Sequence, residues 1–270
     1  MTEALEEWRP RALSVLRIVA GLMIIEHGMA KLLGWPVVPA FAKLQLLSQL
    51  GVAGCIELIG GALVTVGLFT QPVAFILSGE MAVAYFMVHA PRGFYPLLNG
   101  GTLAIMYCFA FLYLSTAGAG PWSLDAAMKK SWGTTMDTFN KLLAGYEPLA
   151  RSIFRIATGL LLFQFGVAKL LKFPAGTMFE KVEPLSLFGV AGMFELIVGG
   201  LLMLGLFSRL AAFILCGEMA FAYFIEHFPK AFIPLLNGGT LAIMICFSCL
   251  YFVCAAGGPL SLDAMIGKKS

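Results

Sequence analysis

The strongest constraint on this chain is an internal duplication. Residues 96–106, Pro-Leu-Leu-Asn-Gly-Gly-Thr-Leu-Ala-Ile-Met, recur letter for letter at residues 234–244, an offset of 138 residues (234 − 96) that aligns the two halves without a gap. Matched positions indicate shared architecture, and mismatched positions indicate that one half has specialised. The offset pairs Arg17 with Arg155, Lys31 with Lys169, Glu57 with Glu195, Glu80 with Glu218, Tyr85 with Tyr223, His89 with His227 and Asp125 with Asp263.

Each half is dominated by apolar stretches long enough to cross a bilayer. The mean hydropathy is +0.89 and 12% of residues are charged, whereas a soluble domain has about 25% charged residues. A membrane-crossing helix needs about 20 apolar residues. We therefore predict an all-α integral membrane protein in which two parallel four-helix-bundle repeats supply eight transmembrane helices. Their predicted ranges are 12–33, 50–69, 71–89, 98–118, 150–171, 188–207, 209–227 and 236–256.

The predicted domains are repeat 1 at residues 1–120, an interfacial linker at 121–148 and repeat 2 at 149–270. The linker contains Trp122 and Trp132, and it suits either an amphipathic stretch at the headgroups or a flexible tether. Acidic residues precede the first apolar segment in place of a basic leader, so we predict no cleaved signal peptide.

The distribution of Lys and Arg predicts the orientation. Eleven lie on the side of the termini and the linker, against seven on the other, which favours cytoplasmic termini in a bacterial or archaeal inner membrane. A formal charge of +3 gives no support for a nucleic-acid partner. The eleven are Arg9, Arg11, Arg17, Lys129, Lys130, Lys141, Arg151, Arg155, Arg209, Lys268 and Lys269, and the seven are Lys31, Lys43, Arg92, Lys169, Lys172, Lys181 and Lys230.

All six cysteines fall inside predicted spans, where thiols behave as small apolar residues, and we do not expect disulfides. Cys246 and Cys249 have the spacing of a redox motif, but they lie in a membrane helix. The sequence shows no nucleotide-binding motif and no Cys/His metal cluster, so we predict no metal site.

Charged residues inside hydrocarbon demand partners. Depth, taken from a rise of about 1.5 Å per residue, predicts that Arg17 pairs with Glu80 and that Lys31 meets Glu57. The second repeat would have the pairs Arg155 with Glu218 and Lys169 with Glu195. Such pairs either fix the helix register or form a site where acids move protons or hold a polar headgroup, and carboxyl groups in apolar surroundings can carry protons near neutral pH.

The mismatched positions favour a site in the first repeat. Glu26 and His27 lie at about the depth of Glu57, whereas the second repeat has Gln164 and Phe165. A histidine beside two acids is a candidate proton relay, although Glu26 could instead reach the outer interface and His27 a carbonyl. The predicted catalytic residues are Glu26, His27 and Glu57, and the predicted ligand-binding residues are Arg17, Lys31, Glu80, Tyr85, Asn99, Glu195, Glu218 and Asn237.

Asn99 and Asn237 also fit a purely structural interpretation. Each precedes two glycines at the start of a predicted fourth helix, and Asn is a preferred N-cap residue. The hydroxyl groups of Tyr85 and Tyr223 need partners within the third helix of each repeat.

Several motifs resemble a known family. Helix one ends in His27-Gly28-x-x-Lys31, helix two carries Glu57-Leu-Ile-Gly-Gly61, a Gly-Leu-Phe-Thr turn follows at residues 67–70, and helix three ends at His89. This order resembles the DoxX/DoxD family of four-helix membrane proteins, here in two fused copies. The resemblance implies a membrane subunit associated with quinone-linked oxidoreductases, including thiosulfate:quinone oxidoreductase, and with other sulfur or redox-stress complexes.

These observations predict a membrane subunit that binds quinone or anchors the redox partner of a quinone-linked oxidoreductase complex. Electrons would come from a partner protein or a soluble donor, with thiosulfate or another sulfur compound as one possibility. Two alternatives stay open. One is a non-catalytic scaffold in a respiratory or photosynthetic assembly. The other is a small-molecule or proton transporter whose repeat interface is lined by Glu57, Glu80, Glu195 and Glu218.

Overall fold

The computed structural model describes residues 2–42, 44–128 and 134–267 of the chain. Those residues form helices and connecting turns, with no strand among them. Eight long helices divide into four in each repeat. They are α1 (Thr2–Leu32), α2 (Gln49–Val66), α3 (Thr70–Ala84), α4 (Thr102–Ala117), α5 (Glu147–Leu170), α6 (Leu187–Leu204), α7 (Ser208–Ala222) and α8 (Thr240–Ala255).

Short helical segments flank the long helices, and three of them recur in both repeats. Tyr85–His89 and Tyr223–His227 continue α3 and α7 as π-helical turns. The other short α-helices are Pro96–Asn99, Leu124–Ala127, Thr134–Ala144, Pro234–Asn237 and Leu262–Met265, and the 3₁₀ segments are Pro39–Phe41 and Ala90–Arg92.

Local sequence signals determine where the second helix of each repeat begins and ends. Ser48 caps α2 by accepting a 3.2 Å hydrogen bond from the Gly51 amide, and Ser186 does the same for Gly189 of α6. At the other end, Gly67 adopts a left-handed conformation with φ of 70°, which glycine tolerates without steric cost. The chain can therefore turn at once into α3.

Six helices in the described ranges are long and apolar enough to cross a membrane. The protein is therefore a multi-pass membrane protein whose spanning helices contact lipid. The predicted fourth helices are shorter than expected, because α4 and α8 have 16 residues each. Gly100 and Gly101 separate α4 from the helix Pro96–Asn99, so the fourth helix begins at Thr102 and not at residue 98.

One core joins the two repeats. Within each repeat the first helix packs on the second and the third on the fourth, while α1 also packs on α8 and α4 on α5. Buried aromatic side chains fill the centre where these four helices meet, and they are Phe111, Tyr113, Phe154, Tyr251 and Phe252. The duplicated sequence thus folds into two similar units with a continuous apolar interior.

The predicted interfacial linker is partly helical. Leu124–Ala127 and Thr134–Ala144 lie within it. Lys129, Lys130 and Trp132, on which the linker and orientation predictions partly depend, lie outside the described residues, as do Lys43, Lys268 and Lys269. The domain boundaries remain predictions.

Candidate functional site

Arg17 is a fully buried structural centre of the first repeat, with an exposed fraction of 0%. Its Nη1 donates to the carbonyl oxygens of Val64 and Thr65, both at 2.5 Å, and its Nε donates to the carbonyl oxygen of Ala119 at 2.8 Å. Its Nη2 donates to the Trp122 carbonyl oxygen. Arg17 thus connects carbonyl groups at the end of α2 to carbonyl groups that follow α4.

The predicted pairing of Arg17 with Glu80 is wrong. No ion pair joins them within the described part of the chain, because the guanidinium is occupied by backbone oxygens. The pairing of Arg155 with Glu218 is wrong for the same reason. Arg155 donates to the carbonyl oxygens of Leu202, Met203, Gly257 and Leu260 at 2.5–2.8 Å.

An aspartate completes this arrangement in each repeat. Asp125 accepts hydrogen bonds from the amides of Phe69 and Thr70 at 2.8 and 2.9 Å, so its carboxylate caps the start of α3. Asp263 caps α7 in the same way through Phe207 and Ser208. These residues hold the connection between second and third helices against the end of the fourth.

The predicted pairing of lysine with glutamate is confirmed in both repeats. Lys31 Nζ lies 2.5 Å from Glu57 Oε1, and Lys169 Nζ lies 2.7 Å from Glu195 Oε1. Glycine makes room for each lysine, since a Cβ at Gly192 would lie 2.8 Å from the Lys169 Cβ. Glu57 and Glu195 are 2% and 3% exposed, so both ion pairs are shielded from the surroundings.

Beside each lysine–glutamate ion pair, some carboxyl oxygens have no hydrogen-bond partner among the described residues. Glu57 Oε2 and Glu80 Oε2 are buried without a hydrogen-bond partner among the described residues. Glu80 interacts electrostatically with both Glu57 and Lys31. In the second repeat, Glu195 Oε2 and both carboxyl oxygens of Glu218 are likewise buried without partners in the described ranges.

Tyr107 adds a polar group to the first repeat, and the sequence prediction missed it. Its hydroxyl is buried without a hydrogen-bond partner in the described part of the molecule, and its ring lies edge-on to His27 with centroids 5.9 Å apart. Tyr107 also interacts electrostatically with Glu26 and Glu57. The signal was available, because Tyr107 directly follows the identical stretch of residues 96–106 and its counterpart is Ile245.

The structure therefore brings together five side chains from all four helices of the first repeat, which we call the polar cluster. Its members are His27, Lys31, Glu57, Glu80 and Tyr107. His27 Nδ1 is 3.1 Å from the Met23 carbonyl oxygen, within its own helix. At the positions of His27 and Tyr107, the second repeat has the apolar residues Phe165 and Ile245.

Glu26 faces the second repeat rather than Glu57. Its Oε2 accepts a 3.0 Å hydrogen bond from the Leu235 amide, at the start of the helix Pro234–Asn237. A carboxylate there offsets the partial positive charge of exposed backbone amides. Glu26 is thus an inter-repeat contact at the border of the polar cluster.

The side chains of Asn99 and Asn237 hydrogen-bond to nearby loop residues and do not act as the predicted helix caps. Asn99 Oδ1 accepts from the Gly101 amide at 2.8 Å, and its Nδ2 donates to the Gly93 carbonyl oxygen at 2.8 Å. Asn237 repeats this with Gly239 and Ala231. Tyr85 opens the π-helical turn after α3 and stacks on His89 at 6.4 Å. These side chains hold the turn before the fourth helix.

Residues at equivalent positions meet where the repeats join. Arg9 and Glu147 are one repeat length apart and form a 2.6 Å ion pair, and the hydroxyl groups of Tyr113 and Tyr251 share a hydrogen bond. Equivalent residues meet in this way around a two-fold axis. The main inter-repeat contacts come from α1, α4, α5 and α8, whereas the glutamates proposed to line a transport interface lie on α2, α3, α6 and α7.

Comparison with known proteins gives two matches within one family. The sequence model of the family described as DoxX matches residues 12–90 and again residues 150–228. Together these ranges cover more than half of the chain. The matches follow the internal repeat, one to each copy.

Two curated relatives come from Haemophilus influenzae strain Rd, and both are described as an uncharacterized protein. The first is 47% identical over 125 residues, which are 45% of this chain and 93% of that relative. The second is 37% identical over 78 residues, which are 29% of this chain and 52% of that relative. The first relative therefore corresponds in length to about one repeat. No solved structure matches the chain.

Proposed function

Since the chain belongs to the DoxX family and contains two copies of its fold, we propose that it is the membrane subunit of a quinone-linked oxidoreductase complex. The quinone would bind in the first repeat, at the polar cluster. The observation that carries this proposal is a set of buried groups on Tyr107, Glu57 and Glu80, beside His27, that have no hydrogen-bond partner among the described residues.

A quinone headgroup matches the Tyr107 hydroxyl, and the hydroxyl groups of the quinol match the oxygens of Glu57 and Glu80 that have no partner among the described residues. The quinone headgroup is an apolar ring with carbonyl oxygens that accept hydrogen bonds, and the Tyr107 hydroxyl is a donor with no partner among the described residues. Ionisable groups within a membrane protein usually mark a ligand or proton pathway. A ligand that accepted from Tyr107 would remove the cost of burying that hydroxyl unpaired.

The residues around the headgroup have different roles in binding and in proton transfer. Tyr107 and His27 orient the ring, because both present polar atoms beside an aromatic contact. Glu80 and Glu57 exchange protons with the quinone oxygens, with Lys31 holding Glu57 in place. Glu26 connects the cluster to the loop of the second repeat through the Leu235 amide. Reduction of the quinone consumes two electrons and two protons.

The electrons come from a partner protein or a soluble donor, with a reduced sulfur compound such as thiosulfate as one class. In this proposal α4 and α8 also cross the membrane, at about 24 Å for 16 residues. All eight long helices then span a bacterial or archaeal inner membrane. The two-fold axis runs along the membrane normal, and both termini face the cytoplasm.

The test is the amount of quinone that the protein retains after purification in mild detergent, measured by solvent extraction and chromatography. We expect near-stoichiometric quinone in the native protein. His27→Leu and Tyr107→Phe are expected to lose most of it, because each removes a polar contact to the headgroup.

The second repeat supplies matched controls. Phe165→Leu and Ile245→Val change the equivalent positions, which carry no polar group, and are expected to keep the bound quinone. Equal quinone in all variants would place its binding elsewhere in the protein. Lack of quinone in the native protein, together with no binding of added quinone, would contradict the proposal. It would favour the alternative of a non-catalytic scaffold in a larger membrane assembly.

A further inference from the structure

Two thiols of the second repeat touch each other inside the membrane region. Cys216 on α7 and Cys246 on α8 have their sulfur atoms 3.7 Å apart. The Cys246 thiol also donates to the Cys216 carbonyl oxygen at 3.4 Å, which holds it against the neighbouring helix. This pair is distinct from the Cys246 and Cys249 spacing visible in the sequence.

The first repeat shows that a thiol pair is not needed for packing. The positions equivalent to Cys216 and Cys246 are Ser78 and Cys108. Ser78 Oγ lies 3.7 Å from Cys108 Sγ and donates to the Cys108 carbonyl oxygen at 2.8 Å. In the second repeat the hydrogen bond to the neighbouring carbonyl oxygen runs in the opposite direction, from Cys246 to Cys216. Serine and cysteine therefore pack at these positions as well as two cysteines do, yet only the second repeat places two sulfur atoms together at them.

We propose that Cys216 and Cys246 form a redox-active dithiol, which a lipid-soluble quinone oxidises to a disulfide joining α7 to α8. Each thiol gives up one hydrogen atom as a proton and an electron, and the sulfur atoms form one S–S bond. The quinone gains two electrons and two protons and becomes the quinol. The proposal rests on the proposed function only in that quinone is the oxidant.

The position of the pair supports this class of oxidant. Cys216 is the ninth residue of the span Ser208–His227, so it lies near the middle of the span, where a polar oxidant is excluded. Both thiols are half-buried, so the pair is not sealed inside the core. The sulfur atoms would move from 3.7 Å to about 2.05 Å, the length of an S–S bond.

Cys249 provides an internal comparison. It is fully buried one helical turn after Cys246, and it interacts electrostatically with Cys216 and Glu218. Oxidation confined to α8 would join Cys246 to Cys249. Oxidation between helices would join Cys246 to Cys216, so peptide mapping distinguishes the two products.

The experiment counts free thiols in the full-length protein. Reduced protein in lipid nanodiscs is incubated with decylubiquinone without oxygen, denatured and alkylated, and the number of alkylated cysteines is read from the intact mass. We expect the count to fall by two from the six cysteines of the chain. We also expect one equivalent of quinol and a peptide that links Cys216 to Cys246.

Cys216→Ser recreates the pair of the first repeat and should leave every remaining thiol free, whereas Cys249→Ser should still lose two. An unchanged count in the native protein, or a link between Cys246 and Cys249, would overturn the proposal. The result is separable from quinone retention. Oxidised thiols in a protein that neither retains quinone nor binds added quinone stably would support the dithiol and contradict the first-repeat site. Retained quinone with six free thiols would support the first-repeat site and contradict the dithiol.

Discussion

Two kinds of cation are buried in this protein, and each is stabilised by chemistry suited to its shape. Arg17 spreads the donors of a planar guanidinium over carbonyl oxygens of four residues, a task that a compact ammonium group cannot perform. Lys31 instead concentrates its charge on one carboxylate oxygen of Glu57. The arginine therefore binds backbone carbonyl groups, and the lysine neutralises a carboxylate.

The second arrangement leads to a prediction about coupling. Lys31→Leu leaves the Glu57 carboxylate buried and uncompensated, so we expect the free energy of unfolding to fall by about 3–5 kcal/mol. Lys31→Leu combined with Glu57→Leu should cost less than the sum of the single changes, since no charge is left alone. Thermal unfolding in detergent gives the measurement, with the same cycle on Lys169 and Glu195 as the matched comparison. Additive effects would show that the pair contributes no coupling.

The sequence could predict part of this residue chemistry. Helical rise gave Lys31 and Glu57 similar depths, and they pair. The same depth argument gave the wrong partner for Arg17, because depth does not determine which way a side chain points around its helix. The Arg17 guanidinium reaches the carbonyl oxygens of Val64 and Thr65 instead. The contact between Tyr107 and His27 could not be predicted from the sequence, because it depends on how α1 packs beside α4.

At the scale of helices, the third helix of each repeat is capped by a residue far away in sequence. The start of α3 is capped by Asp125, 55 residues from Thr70. A carboxylate at this place accepts two backbone hydrogen bonds and opposes the helix dipole. The position of the turn between α2 and α3 thus depends on a segment that follows α4.

Asp125→Asn tests that dependence. The amide has one acceptor oxygen and no charge, so we expect a loss of about 1–2 kcal/mol of stability. The midpoint of thermal unfolding in detergent measures it. Asp137→Asn, at an exposed position of the helix Thr134–Ala144, is the control and should change the midpoint little. If both variants unfold alike, the Asp125 cap contributes nothing measurable.

Helix boundaries show what local sequence leaves undetermined. Ser48 and Gly67 follow the general preferences for helix starts and ends, and α2 begins and ends beside them. Asn99 looked like a helix cap, but its side chain bonds Gly101 and Gly93 while the backbone closes a separate short helix. The short helix is instead marked by Pro96 at its first position and by Gly100 at its end, where φ is 74°, so Asn99 alone does not reveal it.

For the whole molecule, the decisive feature is the contact between equivalent residues of the two repeats. Tyr113 and Tyr251 share a hydrogen bond, the Tyr113 hydroxyl donates to Glu147 Oε1 at 3.0 Å, and Arg9 lies 2.6 Å from Glu147. These polar contacts border the apolar core that joins the repeats. The association of the repeats should therefore survive loss of the covalent connection.

A protease site placed within residues 129–133 tests this association. After cleavage of the full-length protein, we expect the two fragments to migrate together on a native gel. Arg9→Glu places like charges together and should lower the stability of the cleaved complex by about 1–2 kcal/mol, seen as separation at lower temperature. Arg11→Glu changes an exposed residue and is the control. Fragments that separate at once without any substitution would contradict the prediction.

The ion pair between Arg9 and Glu147 also makes the two halves complementary rather than interchangeable. In a dimer of identical single-repeat chains, these equivalent positions would hold the same residue, and two arginines or two glutamates would repel each other. Pairing one half with the other brings opposite charges together at this place. The contact therefore favours association of the two different halves over association of either half with a second copy of itself.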